Sequence, residues 1–342
     1  MIISSSLIII IILTIYLKMN LFMFIFLFLS CTSIPLEFKL RETEFKTYET
    51  KICLGTPKKC DYYTLSFNKD HLIAFGQTDY NPLSSTSAKC EDNNHCRDIL
   101  SFLEHYSIDN VYIEKDNFSM SSKKGIFGIG DRSKNSIIEK LYGLANKRIF
   151  YIDSKNKKFV VGDYPEEYTS VKETDSYKYC ELVENDEPGY RCNIDSLYFK
   201  NGNDNSYTFY EVNQPIIFCP EPNAIYASSA FVDKIIKNYL REQINEHICE
   251  RIYSDGYLYV RCSINYDYEK DNRLKDITII VNQFSLRLSP KELFVEHDDS
   301  IYFLIIHNPE KKGWHFGYPF LRRYITIIDE EEHVIGFIPH HN

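Results

Sequence analysis

The amino-acid sequence predicts a mostly β protein. Its 342 residues include 27 tyrosines and 23 phenylalanines but 4 methionines and 1 tryptophan, and aromatic side chains pack well on the pleated surface of a sheet. Short apolar runs bounded by Gly, Pro, Asn or Asp recur along the chain, which is typical of strands joined by turns. With 44% hydrophobic residues the chain can bury a sizeable core, and its length suits two domains better than one.

Eight runs carry the strand prediction: YYTLSF, NVYIEK, RIFYID, KFVVGD, YRCNIDSLYF, YLYVRCSI, DITIIV and YITIID. Only two stretches are predicted to be helical, residues 136–146 and 228–248. In the second stretch a serine at the start can cap the helix, and apolar residues recur at helical spacing. We expect that apolar face to belong to the core, and no cofactor is predicted.

The N-terminus carries two apolar runs, Leu7–Leu17 and Leu21–Leu29, each too short to span a bilayer alone. Residues 1–33 are predicted to be a secretory signal, with Met19 as a candidate true start and cleavage at the small residues that end the segment. The alternative is an uncleaved anchor through both runs, which would be the protein's membrane contact. The expected location is therefore outside the cell or in the secretory pathway.

The net charge of −9 and the lack of a basic block argue against a nucleic-acid partner, because phosphate backbones attract clustered lysine and arginine. No Cys/His spacing typical of a metal site is present. One sequon, at Asn117, predicts a glycosylation site if the segment is exposed.

Ten cysteines agree with export into an oxidising compartment. Cys31 would leave with the signal, and eight of the others form close pairs in the sequence. Connectivity cannot be read from sequence alone, so the pairing is a hypothesis: Cys53 with Cys60, Cys90 with Cys96, Cys180 with Cys192, and Cys249 with Cys262. Cys219 is left over.

A polar segment, residues 165–176, interrupts the strand pattern near the middle of the chain. We place a domain boundary there, between residues 34–168 and 169–342. Each half contains a hydrophobic strand that ends in a polar turn, TLSFNKD and PIIFCPE, and later an apolar pair before a glycine, GIFGIG and GWHFG. A repeated β-rich plan of this kind would place the two turns face to face across a cleft.

Five segments, in the same order, resemble the motifs of the pepsin-like aspartic peptidases: ICLGTP (52–57), YNPLSSTS (80–87), GIFGIG (125–130), YRCNIDSLYFKNG (190–202) and GWHFGYPFLRRYITIIDEEEHVIGFIP (313–339). The last is the most specific. The resemblance covers about residues 49–339 and implies a bilobal β fold with a central, peptide-binding cleft, most simply in a monomer.

Catalysis in that family uses two Asp-Thr/Ser-Gly turns whose carboxylates share one proton. When the motifs are aligned, Asn68 and Cys219 occupy the two aspartate positions. An amide does not ionise, and a thiol with a pKa of about 8.5 cannot share a proton with it. The resemblance therefore implies a catalytically silent protein that binds a peptide or protein in or near the cleft.

Three alternatives stay open at this point. An active peptidase could use displaced acids, because Asp70 and Glu221 each stand two positions after the missing aspartate. The chain could be a scaffold without a ligand, with the groove filled by Lys69, His71 and the prolines. Cys219 could be a nucleophile paired with a histidine, although no local motif supplies one.

The flap that covers such clefts looks short, and Tyr106 is the nearest candidate for its tyrosine.

Overall fold

The computed structural model describes residues 34–340 apart from several short gaps, which are residues 45, 68, 70, 76–79, 92–94, 104, 117–124, 131–135, 174–176, 184–188, 201–206, 282–283 and 312. The predicted signal segment, Asn68, Asp70 and Asn117 lie outside the described residues. What the sequence predicts for them stays a prediction.

The described residues of the first half form ten strands: β1 Leu36–Glu42, β2 Tyr48–Leu54, β3 Lys59–Ser66, β4 Leu72–Phe75, β5 Lys89–Cys90, β6 His95–Phe102, β7 Tyr106–Asp116, β8 Gly125–Gly128, β9 Ile149–Asp153 and β10 Lys158–Val161. It also contains a 3-10 turn, Pro82–Ser84, and helices α1 Ile137–Ala145 and α2 Tyr168–Glu173. All eight predicted strand runs, in this half and the next, coincide with observed strands, so the mostly β prediction is confirmed.

In the second half the part of the chain that the structure describes forms thirteen strands: β11 Lys178–Glu181, β12 Tyr190–Lys200, β13 Tyr207–Phe218, β14 Ile225–Tyr226, β15 Cys249–Ser254, β16 Tyr257–Ser263, β17 Ile277–Val281, β18 Phe284–Leu288, β19 Phe294–His297, β20 Ser300–His307, β21 Trp314–Phe316, β22 Tyr324–Asp329 and β23 Val334–Pro339. Its helices are α3 Ser229–Tyr239, α4 Arg241–Asn245, α5 Pro290–Leu293 and α6 Tyr318–Arg323. None of the described helices is both long and apolar enough to cross a membrane.

The prediction of only two helical stretches is wrong. The stretch 136–146 is α1, which begins after the Ser136 cap, but the stretch 228–248 is broken at Leu240, whose φ of −108° and ψ of 16° leave the helical range. Helices α2, α5 and α6 were not predicted. Each is at most six residues long, too short to show the repeated apolar spacing by which a helix is recognised.

The two halves share one strand topology. In the first half β8 lies between β3 and β4, parallel to β3 and antiparallel to β4. In the second half β21 lies between β13 and β14 with the same two directions. The equivalence continues outward, since β4 is parallel to β7 and β14 is parallel to β20. Each half therefore places a strand-to-strand turn, after β3 or after β13, against the end of a third strand.

One sheet is built by both halves. At one end of this sheet, which has thirteen described strands, the order is β11, β23, β22, β9, β10, β1. Three strands of the second half therefore continue directly into three of the first, and the other seven strands of the first half follow. The halves meet where β9 pairs with β22, with Tyr151 opposite Ile327. All eleven residues of β9 and β22 are buried, on both faces of the sheet, as expected when both faces are covered.

Aromatic side chains fill the core between the halves. Phe150 on β9 packs edge-on against Phe67, Tyr190 and Phe159, with ring centroids 5.3, 5.1 and 5.6 Å away. The hydroxyl of Tyr190, from the second half, donates to the carbonyl oxygen of Ile129 in the first at 3.0 Å. These rings explain the high aromatic content, and they make the two halves one packed body.

Four disulfides are present, and they join the pairs that proximity in the sequence suggested: Cys53 with Cys60, Cys90 with Cys96, Cys180 with Cys192, and Cys249 with Cys262. Three of them join residues directly opposite each other in a two-stranded ladder. Each disulfide lies within one half of the chain.

Candidate functional site

The first turn follows β3 and is braced by the end of β8. The amide of Ile129 donates to the carbonyl oxygen of Ser66 at 2.9 Å, and the amide of Gly130 donates to that of Lys69 at 2.7 Å. The approach is so close that a Cβ atom at Gly130 would lie 1.7 Å from the carbonyl oxygen of Phe67. This explains why the sequence has glycine here.

The second turn follows β13 and is braced in the same way by the end of β21. The amide of Cys219 donates to the carbonyl oxygen of Phe316 at 3.1 Å, and the amide of Tyr318 donates to that of Pro222 at 2.9 Å. A Cβ atom at Gly317 would lie 2.1 Å from the Pro222 carbonyl oxygen. The two glycine motifs singled out in the sequence thus have equivalent positions, one beneath each turn.

The Cys219 side chain points into the core. It is fully buried, lies outside the four disulfides, and places its Sγ 3.8 Å from Nδ1 of His315, which is 5% exposed. The neighbouring Tyr226 is half-buried. Desolvation raises the pKa of its hydroxyl to about 12; the nearby thiol adds to the rise, and a hydrogen bond with Asn308 opposes it. Cys219 thus has a histidine neighbour, which the sequence did not indicate, but neither group faces solvent.

Glu221 joins the two turns. Its Oε1 accepts a short hydrogen bond from the Ser66 hydroxyl, and Ser66 lies two positions before Asn68 in the first half. Ser66 is 1% exposed and Glu221 is half-buried. The displaced acid predicted from the sequence therefore does reach the opposite turn. Its partner Ser66 was missed, because a serine at the end of a strand carries no signal of a contact 155 residues away.

His71 follows the first turn and is held by the neighbouring strand β7. Its Nε2 lies 2.8 Å from Oε2 of Glu114 on β7, and its ring meets the edge of Tyr112 at 5.3 Å. The side chain is 20% exposed, so His71 is anchored to the neighbouring strand.

Tyr106 begins β7, directly after the short connection from β6. Its ring stacks on Phe102 at 5.8 Å, and Phe102 packs in turn on Phe38 at 5.0 Å. Residues 103–105 connect β6 and β7, and the Tyr106 ring packs against the aromatic core of the first half. The assignment of Tyr106 to a flap stays a prediction.

A cavity of about 300 Å3 opens beside the second turn. Asn223 and Ala224 of that turn form one wall, and Glu44 and Lys46 of the β1–β2 connection form another. The remaining walls come from β16, β19 and β20 and are mainly apolar: Tyr259, Val295, His297, Tyr302, Phe303, Leu304 and Ile306. Both halves of the chain therefore contribute to it, and it is lined by aromatic residues rather than filled by the turn's prolines.

The described part of the two turns offers limited chemistry. Among residues 66–67, 69, 71 and 219–224, Glu221 is the one carboxylate, and a water activated between two acids needs a second. The Cys219 thiol is enclosed beside an imidazole that is enclosed as well, so a substrate carbonyl cannot reach it.

No protein-family model matches this chain, and a search of characterised proteins returned no match either. What the protein does must be argued from the residues themselves.

The burial of Cys219 predicts its reactivity. Iodoacetamide should leave this thiol unmodified in the native protein and alkylate it in denaturant without reductant, because a thiolate reacts only when solvent reaches it. Mass spectrometry of the peptide containing Cys219 measures this, with a Cys219→Ala variant as the control. Rapid alkylation of the native protein would show that the thiol is accessible. It would then support the alternative in which Cys219 is a nucleophile.

Proposed function

We propose that this chain is an exported, catalytically silent protein of pepsin-like architecture that binds an extended peptide segment along the groove between its halves. The observation that carries the proposal is the content of the second turn: a buried thiol stands where the resemblance expects a catalytic carboxylate. The nearest acid, Glu221, accepts a hydrogen bond from Ser66.

The topology supports the architecture in this proposal. Two halves with equivalent strand order, each bracing a turn with a Gly-containing strand end, follow the plan that the motif resemblance implies. The four disulfides support export, because such bonds persist in oxidising compartments.

The cavity beside the second turn supports binding over a purely structural role. A volume of about 300 Å3 is at the lower end of the range for ligand pockets and suits one or two amino-acid side chains. Its apolar walls, with Lys46 and Glu44 at the rim, would accept an apolar or aromatic side chain flanked by polar backbone.

The proposal predicts retention of peptides without cleavage. The purified protein, incubated with a diverse peptide library from acidic to neutral pH, should enrich peptides with apolar side chains and return them intact by mass spectrometry. Tyr302→Ala should weaken retention about tenfold, since a buried aromatic contact is worth more than 1 kcal/mol at such sites.

The matched control is Tyr253→Ala, which removes a tyrosine that is 70% exposed and does not line the cavity. It should bind peptides as the unaltered protein does. If no peptide is retained at any pH, or if Tyr253→Ala and Tyr302→Ala behave alike, the binding proposal fails.

A second candidate, an active peptidase with displaced acids, is favoured by one observation: Glu221 reaches across to the first turn. Its other acid would be Asp70. The test is cleavage of peptides at acidic pH that pepstatin inhibits. If that cleavage is lost in both Glu221→Gln and Asp70→Asn, the protein is an active peptidase and the proposal of a catalytically silent protein is wrong.

A further inference from the structure

A second and larger cavity, of about 940 Å3, lies where the two halves meet near α5 and α6. Its walls come from the β1–β2 connection, the β9–β10 connection, β18, α5 and α6. They are formed by Glu42, Lys46, Tyr48, Ser154, Lys155, Lys157, Asp276, Arg287, Ser289, Lys291, Glu292, Tyr318, Arg322, Arg323 and His340. Neither Cys219 nor Glu221 is among these lining residues.

The charge of this cavity is opposite to that of the whole chain. Seven of its lining residues are lysine or arginine and three are acidic, whereas the chain carries a net charge of −9. Cations concentrated in a concave surface raise the local concentration of anions. A basic cavity in an acidic protein is therefore a specific feature and not a consequence of composition.

Two of the three acidic residues are already engaged. Glu42 pairs with Lys46 at 2.9 Å and accepts from the Tyr318 hydroxyl at 3.2 Å. Glu292 accepts from the amide of Ser289 at 2.7 Å as part of the cap of α5. These carboxylates have structural roles, so they cannot neutralise the remaining cations.

Two arginines of the cavity, Arg287 and Arg323, are not paired with an acidic side chain of the described residues. Among the residues that the structure describes, no carboxylate lies within ion-pair distance of Arg287 or Arg323. Both guanidinium groups also act on Lys178, whose pKa is lowered by its burial and then by these two positive charges. Lys178 donates to the carbonyl oxygen of Ser285 at 2.9 Å, which fixes its ammonium group in this region. These positive charges repel one another, and an anion bound between them would relieve that repulsion.

The hydroxyl groups in the cavity wall are mostly engaged within the protein. Tyr318 donates to Glu42, and Ser154 donates to the carbonyl oxygen of Leu321 at 2.6 Å. The donors left for a tetrahedral oxyanion are therefore the charged ones, and arginine binds such groups through two parallel N–H donors.

We propose that this cavity binds a small molecule with several oxyanion groups, such as a polyphosphate or a sulfated sugar, with Arg287 and Arg323 as its principal ligands and the exposed Lys157 and Lys291 at the entrance. The volume suits a ligand of drug-like size. The inference does not depend on the peptide groove.

Isothermal titration of the purified full chain tests this with two probes, inorganic tripolyphosphate and sucrose octasulfate. Binding of either at low salt, weakened by added sodium chloride because exposed charges are screened, is the expected result. The probe that binds more tightly identifies phosphate or sulfate as the preferred source of the charge. If neither probe binds at millimolar concentration in low salt, the proposal is wrong.

The variants separate the cavity from general charge. Arg287→Gln with Arg323→Gln should weaken binding by about tenfold or more, because charge-assisted hydrogen bonds are lost. The matched control is Arg251→Gln with Arg261→Gln, which makes the same change of charge at arginines that pair with Asp233 and Glu250 outside the cavity. The control should retain the affinity of the unaltered protein. Equal weakening in both double variants would overturn the proposal.

If the first double variant does not fold, as judged by circular dichroism, Lys157→Gln with Lys291→Gln replaces it. Both of these side chains are exposed, so their loss should leave the fold intact. If a folded Lys157→Gln, Lys291→Gln variant binds the probe with unchanged affinity, these lysines do not contribute to anion binding and the proposal is overturned.

Discussion

Replacing Gly130 by alanine should destabilise the protein by about 3 kcal/mol, the upper end of the usual range for overpacking that forces a backbone shift. The added Cβ would lie 1.7 Å from the carbonyl oxygen and 2.3 Å from the carbonyl carbon of Phe67. Both contacts are with backbone, so no side-chain rotation can relieve them. Either β8 or the first turn must move, and the hydrogen bond from Gly130 to Lys69 would be lost with it.

Urea unfolding followed by circular dichroism measures the effect as a lower midpoint. The matched control is Gly143→Ala in α1, where an added Cβ meets no atom within 4 Å. That change should raise stability by about 1 kcal/mol, the difference in helix propensity between the two residues. A Gly130→Ala variant as stable as the unaltered protein would show that β8 does not press against the turn as described.

Phe150→Ala should cost about 3–5 kcal/mol, the usual range for removing a fully buried phenylalanine. Its ring is 0% exposed and packs between Phe67 of the first half and Tyr190 of the second. The loss leaves a cavity where the halves meet, and three close aromatic neighbours cannot all collapse into it. The expected result is a lower unfolding midpoint and easier separation of the halves.

Leu144→Ala is the control for this change. Leu144 lies on α1 and is 38% exposed, so its truncation should alter stability by about 0.5 kcal/mol or less, as is usual for surface positions. Both variants can be compared by the same urea titration. Similar losses from both would mean that the Phe150 cluster contributes no more than a surface contact.

Much of the fold could be predicted from the sequence because its strands have clear ends. YITIID and RIFYID, for example, are apolar and β-branched runs that end at an aspartate, and both are observed strands with nearly the predicted bounds. The short helices were missed because their signals are local. α5 begins with Ser289 and Pro290 in a capping box, which marks a helix start but not a helix long enough to show periodicity.

The sequence identified the residues of each of the two turns but not the residues that contact them. Alignment with the motifs drew attention to Cys219 and Glu221, but their partners depend on which strands become neighbours. His315 lies 96 residues from Cys219, and Ser66 lies 155 residues from Glu221. A single sequence has no periodic or spacing signal that spans such separations, and the contacts arise from the equivalent placement of β8 and β21 beneath the two turns.

The sheet built by both halves has a further consequence if the chain is cut between them. Cleavage between Glu173 and Tyr177 would sever the chain, and no described disulfide would tie the two fragments together. The ladder between β9 and β22 and the rings around Phe150 would still hold them. A nicked molecule should therefore migrate as one particle in gel filtration and as two bands in denaturing electrophoresis, and fragments expressed separately should reassemble when mixed.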